Sequence, residues 1–140
     1  MAETIRLDLV TPERRLFAGD VEQVVAEGVL GEFMVLPGHA NFITLLKPGV
    51  LIFIQDGKRR MVAGSGGFAE VTLKHGVRIM AETAEFAEEI DVDRAKAAKE
   101  RAEKRLASAA AGAAAEIDIE RAEVALKRAL IRLQVAGEDH

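Results

Sequence analysis

Catalysis and metal binding need side chains that donate, accept, ligate or attack, and this 140-residue chain holds few arrangements of them. His39, His75 and His140 are widely separated and form no H-x-x-x-H pair, so a zinc site on one helical face is excluded. The absence of cysteine removes thiolate chemistry, disulfides and most structural zinc sites. There is no Walker A sequence. Gly64-Ser65-Gly66-Gly67 is glycine-rich but lies between two strand-like runs, so it lacks the helix N-terminus that makes a phosphate cradle and reads as a tight turn. Glu88-Glu89 sits at a compositional boundary and reads as solvated charge rather than an acid–base pair. An enzyme working by itself is disfavoured, and neither a metal nor a required cofactor is expected.

The bulk properties narrow the class further. A net charge of −4 argues against a nucleic-acid partner, since phosphate backbones demand a surplus of clustered Lys and Arg. Residues 1–8, Met-Ala-Glu-Thr-Ile-Arg-Leu-Asp, have neither a basic start followed by an apolar stretch nor an Arg- and Ser-rich character, so no signal or transit segment is expected. No apolar run approaches the roughly 20 residues needed to span a bilayer. The expectation is a soluble chain whose membrane link comes only through partners.

The elements that must position any site fall into two halves that divide near residue 90. All six Phe, all three Pro and ten of the twelve Gly precede it, whereas fifteen of the last fifty residues are Ala. Gly and Pro punctuate short strands, and Ala, Glu, Lys, Arg and Leu favour helix. Ile5, Leu7 and Leu9 alternate with polar neighbours, the period of a strand with one buried face, and Thr11-Pro12 ends the run. Further strands are expected around Val21–Val25, at Glu32–Leu36, Gly49–Gln55, Arg60–Ala63, Phe68–Leu73 and Val77–Glu82. Many short strands at this spacing indicate a sandwich or flattened barrel. The second half reads as a helical hairpin. Asp91 is a candidate N-cap for a helix carrying Ala95, Ala98, Ala102 and Leu106 on one face, and Asp118 for a second carrying Ala122, Leu126, Leu130 and Leu133. Ala107–Ala115 is the expected connector. So narrow a small-residue stripe buries little area and should dock weakly.

Longer motifs carry a resemblance. Val10-Thr11-Pro12-Glu13, Gly31-Glu32-Phe33-Met34-Val35-Leu36-Pro37-Gly38-His39-Ala40-Asn41-Phe42, Leu46-Lys47-Pro48-Gly49 and Ser65-Gly66-Gly67-Phe68-Ala69-Glu70-Val71 occur in that order. In the helical half, Ile90-Asp91-Val92-Asp93-Arg94-Ala95 fits the pattern Ile/Leu-Asp-x-x-Arg-Ala and continues through Glu103, and Arg121–Ala129 with Arg132-Leu133 follows. This succession is similar to the epsilon family of F-type ATP synthases over nearly the whole chain.

That resemblance implies an α+β protein: a ten-stranded β-sandwich over residues 1–88 that binds the gamma subunit and the c-subunit rotor ring, then a regulatory two-helix hairpin over 89–140. It implies a non-catalytic central-stalk component on the cytoplasmic side of a membrane, whose helices restrain ATP hydrolysis when extended towards the alpha/beta catalytic head. Glu32 and His39, near the loop Leu36–Asn41, would face the rotor ring. ATP, as a regulatory ligand, would be held by Glu85, Ile90, Asp91 and Ala95 around adenine, with Arg94, Arg101, Arg128 and Arg132 around the phosphates. The chemistry suits that role, because a guanidinium is always charged and presents a rigid fork to phosphate oxygens. Residues seven apart (Arg94, Arg101) or four apart (Arg128, Arg132) share a helical face. Ala107–Ala115 is longer and richer in Ala than expected of relatives that bind ATP well. The alternative from another class is a free-standing nucleotide-sensing scaffold domain.

Overall fold

The computed structural model describes residues 3–38, 41–110 and 116–137, and these form two compact units, Met1–Phe86 and Ala87–His140. The first unit contains β1 (Ile5–Val10), β2 (Arg15–Val21), β3 (Gln23–Gly28), β4 (Gly31–Val35), β5 (Phe42–Leu45), β6 (Gly49–Gln55), β7 (Lys58–Ser65), β8 (Phe68–Thr72), β9 (Gly76–Met80) and β10 (Thr83–Phe86). They pair as two five-stranded sheets, ordered β2-β1-β9-β8-β5 and β10-β7-β6-β3-β4. All pairings are antiparallel except β1 with β9. The ten-stranded α+β architecture is therefore present, and the sheet unit ends two residues before the boundary placed at 88.

Alternation explains the layers. Leu7 and Leu9 of β1, Val71 of β8 and Val77 and Ile79 of β9 point inward from one sheet. Val24, Val35, Phe53 and Val62 meet them from the other, and all of these are essentially inaccessible to solvent. Phe53 anchors an aromatic row, its ring 4.6 Å from Phe17 and 6.3 Å from Phe86, and the Arg60 guanidinium lies 4.2 Å from the Phe86 centroid. At the edge where β4 passes to β5, Phe33 and Phe42 meet edge-to-face at 5.3 Å. The chain crosses between sheets at Glu22. Its carboxylate accepts the Asp56 N–H at 3.1 Å and the Gly57 N–H at 2.9 Å, fixing the β6–β7 turn to the crossing point.

Three strands escaped the residue pattern. β2 carries Gly19 and Asp20, which interrupt its apolar alternation, while β5 and β10 are only four residues long. Gly64–Gly67 does contain the turn between β7 and β8. Gly66 and Gly67 both have positive φ, and a Cβ on Gly67 would run into the Met80 carbonyl.

The second unit holds a 3-10 turn (Ala87–Glu89), α1 (Val92–Ala110) and α2 (Glu116–Ala136). Asp118 is not a cap: α2 has already begun at Glu116 and Asp118 lies inside its first turn, since the helix-permissive residues before it carry no stop signal. Likewise α1 continues through residues 107–110, so the expected connector is partly helix, and its residues 111–115 lie outside the described set.

The two glycines make opposite predictions. Gly67→Ala should lower stability in urea by more than about 1 kcal/mol, through collision and a φ of +96°. Gly64→Ala, whose Cβ would meet only the Gly49 carbonyl at 3.6 Å, should be neutral or stabilise by about 0.4–1 kcal/mol.

Candidate functional site

The helical unit is built from its first cap. Asp91 Oδ1 accepts the Arg94 N–H at 3.0 Å, while the Asp91 carbonyl accepts the Ala95 N–H at 3.0 Å. The aspartate thus satisfies an orphan amide and sets negative charge at the positive helix end. Ile90 and Ala95 on either side are buried, at 8% and 0% exposure.

From that start, the buried positions of α1 are Ala95 and Ala102, seven apart, and Ala122 and Ala129 of α2 repeat the spacing. A helix turns about 100° per residue, so seven residues return to nearly the same bearing. Five residues separate α1 from α2 and the two pack side by side, so they run antiparallel with these alanine faces inward. Arg94 and Arg101 each precede a buried alanine by one residue, as do Arg121 and Arg128, which sets all four about 100° to the same hand of the seam. Arg105 and Arg132, three residues after a buried alanine, fall on that hand too. In an antiparallel pair, equal offsets on the two helices face the same side of the hairpin. Six arginines therefore line one side, with Asp118, four residues before the buried Ala122, on the same hand, and Glu100, Glu103, Glu120 and Glu123 lie elsewhere around the helices.

The arginines are poorly neutralised. Arg94, Arg101, Arg105, Arg121 and Arg128 are exposed and, among the described residues, none forms an ion pair; Arg132 is half-buried and has a partner. So many like charges along one side repel one another, and the arrangement is suited to an anion with several oxygens. The expected phosphate set, Arg94, Arg101, Arg128 and Arg132, is on that side, and so are Arg105 and Arg121, which that expectation did not include. Their signal was the same seven- and four-residue arginine spacing on both helices.

Other expected residues are placed in the sheet unit. Glu85 is half-buried on β10, opposite Ala63 of β7, and has a polar partner. Glu32 is exposed at the start of β4, directly opposite Glu27 of β3. It is not near the loop Leu36–Asn41, as expected, but at the other end of the strand beside the turn Val29-Leu30. The intervening residues are extended at about 3.3 Å each, which carries the loop some 13 Å away. His39 lies outside the described residues. Beside the turn, where Leu30 is 96% exposed, the outer face of the first sheet carries an apolar row across four strands: Leu45, Phe68, Met80 and Val10, in register.

Comparison with known families decides what these two units are. Residues 4–87 match the family model described as ATP synthase, Delta/Epsilon chain, beta-sandwich domain, and residues 88–137 match ATP synthase, Delta/Epsilon chain, long alpha-helix domain. The chain belongs to the ATP synthase delta/epsilon family. It is 54% identical over 108 residues to an ATP synthase epsilon chain of Desulforamulus reducens, covering 77% of this chain and 81% of that one. To an ATP synthase epsilon chain of Geobacter sulfurreducens it is 46% identical over 138 residues, 99% of this chain and 97% of the relative. Among solved structures it resembles a chain of the Euglena gracilis mitochondrial ATP synthase, OSCP/F1/c-ring, with TM-score 0.79 and 29% identity, covering 95% of this chain and 81% of that one.

The cap gives a direct test. Asp91→Ala should destabilise the first turn of α1 by about 0.5–2 kcal/mol, read as faster amide exchange at Arg94, whereas Asp91→Asn should stay near wild type because asparagine caps equally well.

Proposed function

We propose that this chain is the epsilon subunit of an F-type ATP synthase, a central-stalk component whose sheet unit joins the gamma subunit to the c-subunit rotor ring and whose helical unit senses ATP. Family membership across both units supports the stalk role. The observation that carries the nucleotide role is the arginine side of the hairpin, with Arg94, Arg101 and Arg128 exposed and without ion pairs among the described residues.

The mechanism follows from differential binding. A triphosphate laid across both helices neutralises guanidiniums that otherwise repel, and it does so only while α1 and α2 are packed together. ATP therefore favours the folded hairpin by the difference in its affinity for the two states. Released, the helices extend towards the alpha/beta head and restrain rotation during hydrolysis, the same basic side meeting acidic groups there. Adenine lies beside the Asp91 cap in this reading, at the start of α1 where Ile90 and Ala95 are buried. Hydrolysis is thereby tied to energy charge, on the cytoplasmic side of the membrane that holds the ring.

The sheet unit supplies the mount. The row Leu45, Phe68, Met80 and Val10 is an outward apolar surface suited to gamma. Glu32 faces Glu27 across an antiparallel pair, where like charges are unfavourable, so a cation on the rotor ring would relieve them.

Calorimetric titration of ATP into the intact chain should show saturable binding that Arg128→Ala weakens by about tenfold or more, as loss of a charge-assisted hydrogen bond of about 1.5–3 kcal/mol requires. Heat absent in both proteins at millimolar ATP would remove nucleotide sensing and leave the stalk role. For the mount, Met80→Asp should abolish co-purification with gamma while the circular dichroism of the isolated chain is unchanged; retention of a stoichiometric complex would place gamma on another face.

A further inference from the structure

The helical unit repeats itself. Ile90-Asp91-Val92-Asp93-Arg94-Ala95 returns 27 residues later as Ile117-Asp118-Ile119-Glu120-Arg121-Ala122, and the correspondence runs on to Leu106 and Leu133 with nine identities in seventeen positions. The fold respects the repeat. From Asp91 to Ala102 and from Asp118 to Ala129, the order of exposed, half-buried and buried positions is the same at every residue. Two antiparallel helices with the same surface pattern are related by an approximate twofold axis normal to their common plane. That axis carries Arg94 and Arg101 onto Arg121 and Arg128 in like surroundings, and Arg105, exposed, onto Arg132, half-buried.

The phosphate set Arg94, Arg101, Arg128 and Arg132 accordingly has a symmetry mate, Arg121, Arg128, Arg101 and Arg105, and the pair Arg101/Arg128 belongs to both. We infer that the hairpin carries a second phosphate-binding site at the end nearer its connector, formed by Arg105 and Arg121 with the shared central pair; this rests on the nucleotide reading of the first set. Its ligand is a short phosphate chain. Arg105 and Arg121 are exposed and have no ion-pair partner among the described residues, so the charge awaiting a counter-anion extends well past the first set.

The two ends differ in what else they offer. At the first, Asp91 caps α1 and holds the Arg94 amide, and Ile90 is buried. At the second, Asp118 is exposed inside α2 and makes no hydrogen bond among the described residues. The second site therefore recognises phosphates without the base. Sharing Arg101 and Arg128 makes the two sites compete, so the second equivalent binds more weakly than the first.

Tripolyphosphate titrated into the intact chain at low ionic strength tests this, with ATP as a second arm to separate a free phosphate chain from a nucleotide. Two binding events are expected in wild type. Arg121→Ala should remove the weaker event and leave the stronger, Arg94→Ala should remove the stronger, and Lys127→Ala, the same charge loss on the face of α2 turned away from α1, should change neither. Alanine favours helix, so far-ultraviolet circular dichroism should show all three variants folded. ATP showing only the Arg94-dependent event, with tripolyphosphate showing both, assigns the second site to a base-free chain. A single event unaffected by Arg121→Ala but lost in Arg94→Ala overturns the second site alone. Equal weakening by Lys127→Ala overturns it in favour of diffuse attraction, and no binding in wild type overturns it together with the first site.

Discussion

The helical unit depends on how closely two helices can approach, and that is decided by methyl groups. Typical helix pairs lie about 8–10 Å apart because leucines and isoleucines hold them there. Alanine occupies 95, 102, 122 and 129 on the buried line, with Leu133 beyond them on α2, so small side chains face one another along most of the seam. Arginine occupies the flanks on one side. A larger residue in the seam would part the helices and with them the two rows of guanidiniums, so the smallest side chains in the unit govern the spacing of its largest charges.

The same seam is thermodynamically thin. A buried methylene contributes about 0.8 kcal/mol, so the alanines of the seam gain little by themselves, and the larger buried side chains of the two helices, Ile131, Leu133 and Val135, all lie at the end of α2. Charge repulsion along the arginine side opposes it further.

The sheet unit answers a different demand. Its core joins strands distant in the chain, with Leu7 and Leu9 of β1 lying beside Val77 and Ile79 of β9, and it is sealed by Phe17, Phe53 and Phe86. Glu22 ties the sheet crossing to the Asp56-Gly57 turn, and Gly67 accepts the close approach of the Met80 carbonyl. The outward residues, the Leu45–Val10 row and the Glu27/Glu32 pair, take no part in this core.

What the sequence by itself determined was local. Alternation at Ile5–Leu9 marked a strand, Gly64–Gly67 a turn, Asp91 a cap, and the arginine spacing a charged face on each helix, because strand period, turn conformation and capping depend on neighbours a few residues away. β2, β5 and β10 were not legible, since Gly19 and Asp20 break one pattern and four residues are too few to show another. The tertiary structure alone decided that β1 runs parallel to β9, that Glu32 sits against Glu27 and away from the Leu36–Asn41 loop, and that the arginines of α1 and α2 share one side. Each of those outcomes joins residues far apart in the chain, and only the packing of a whole unit selects among the pairings that local patterns permit.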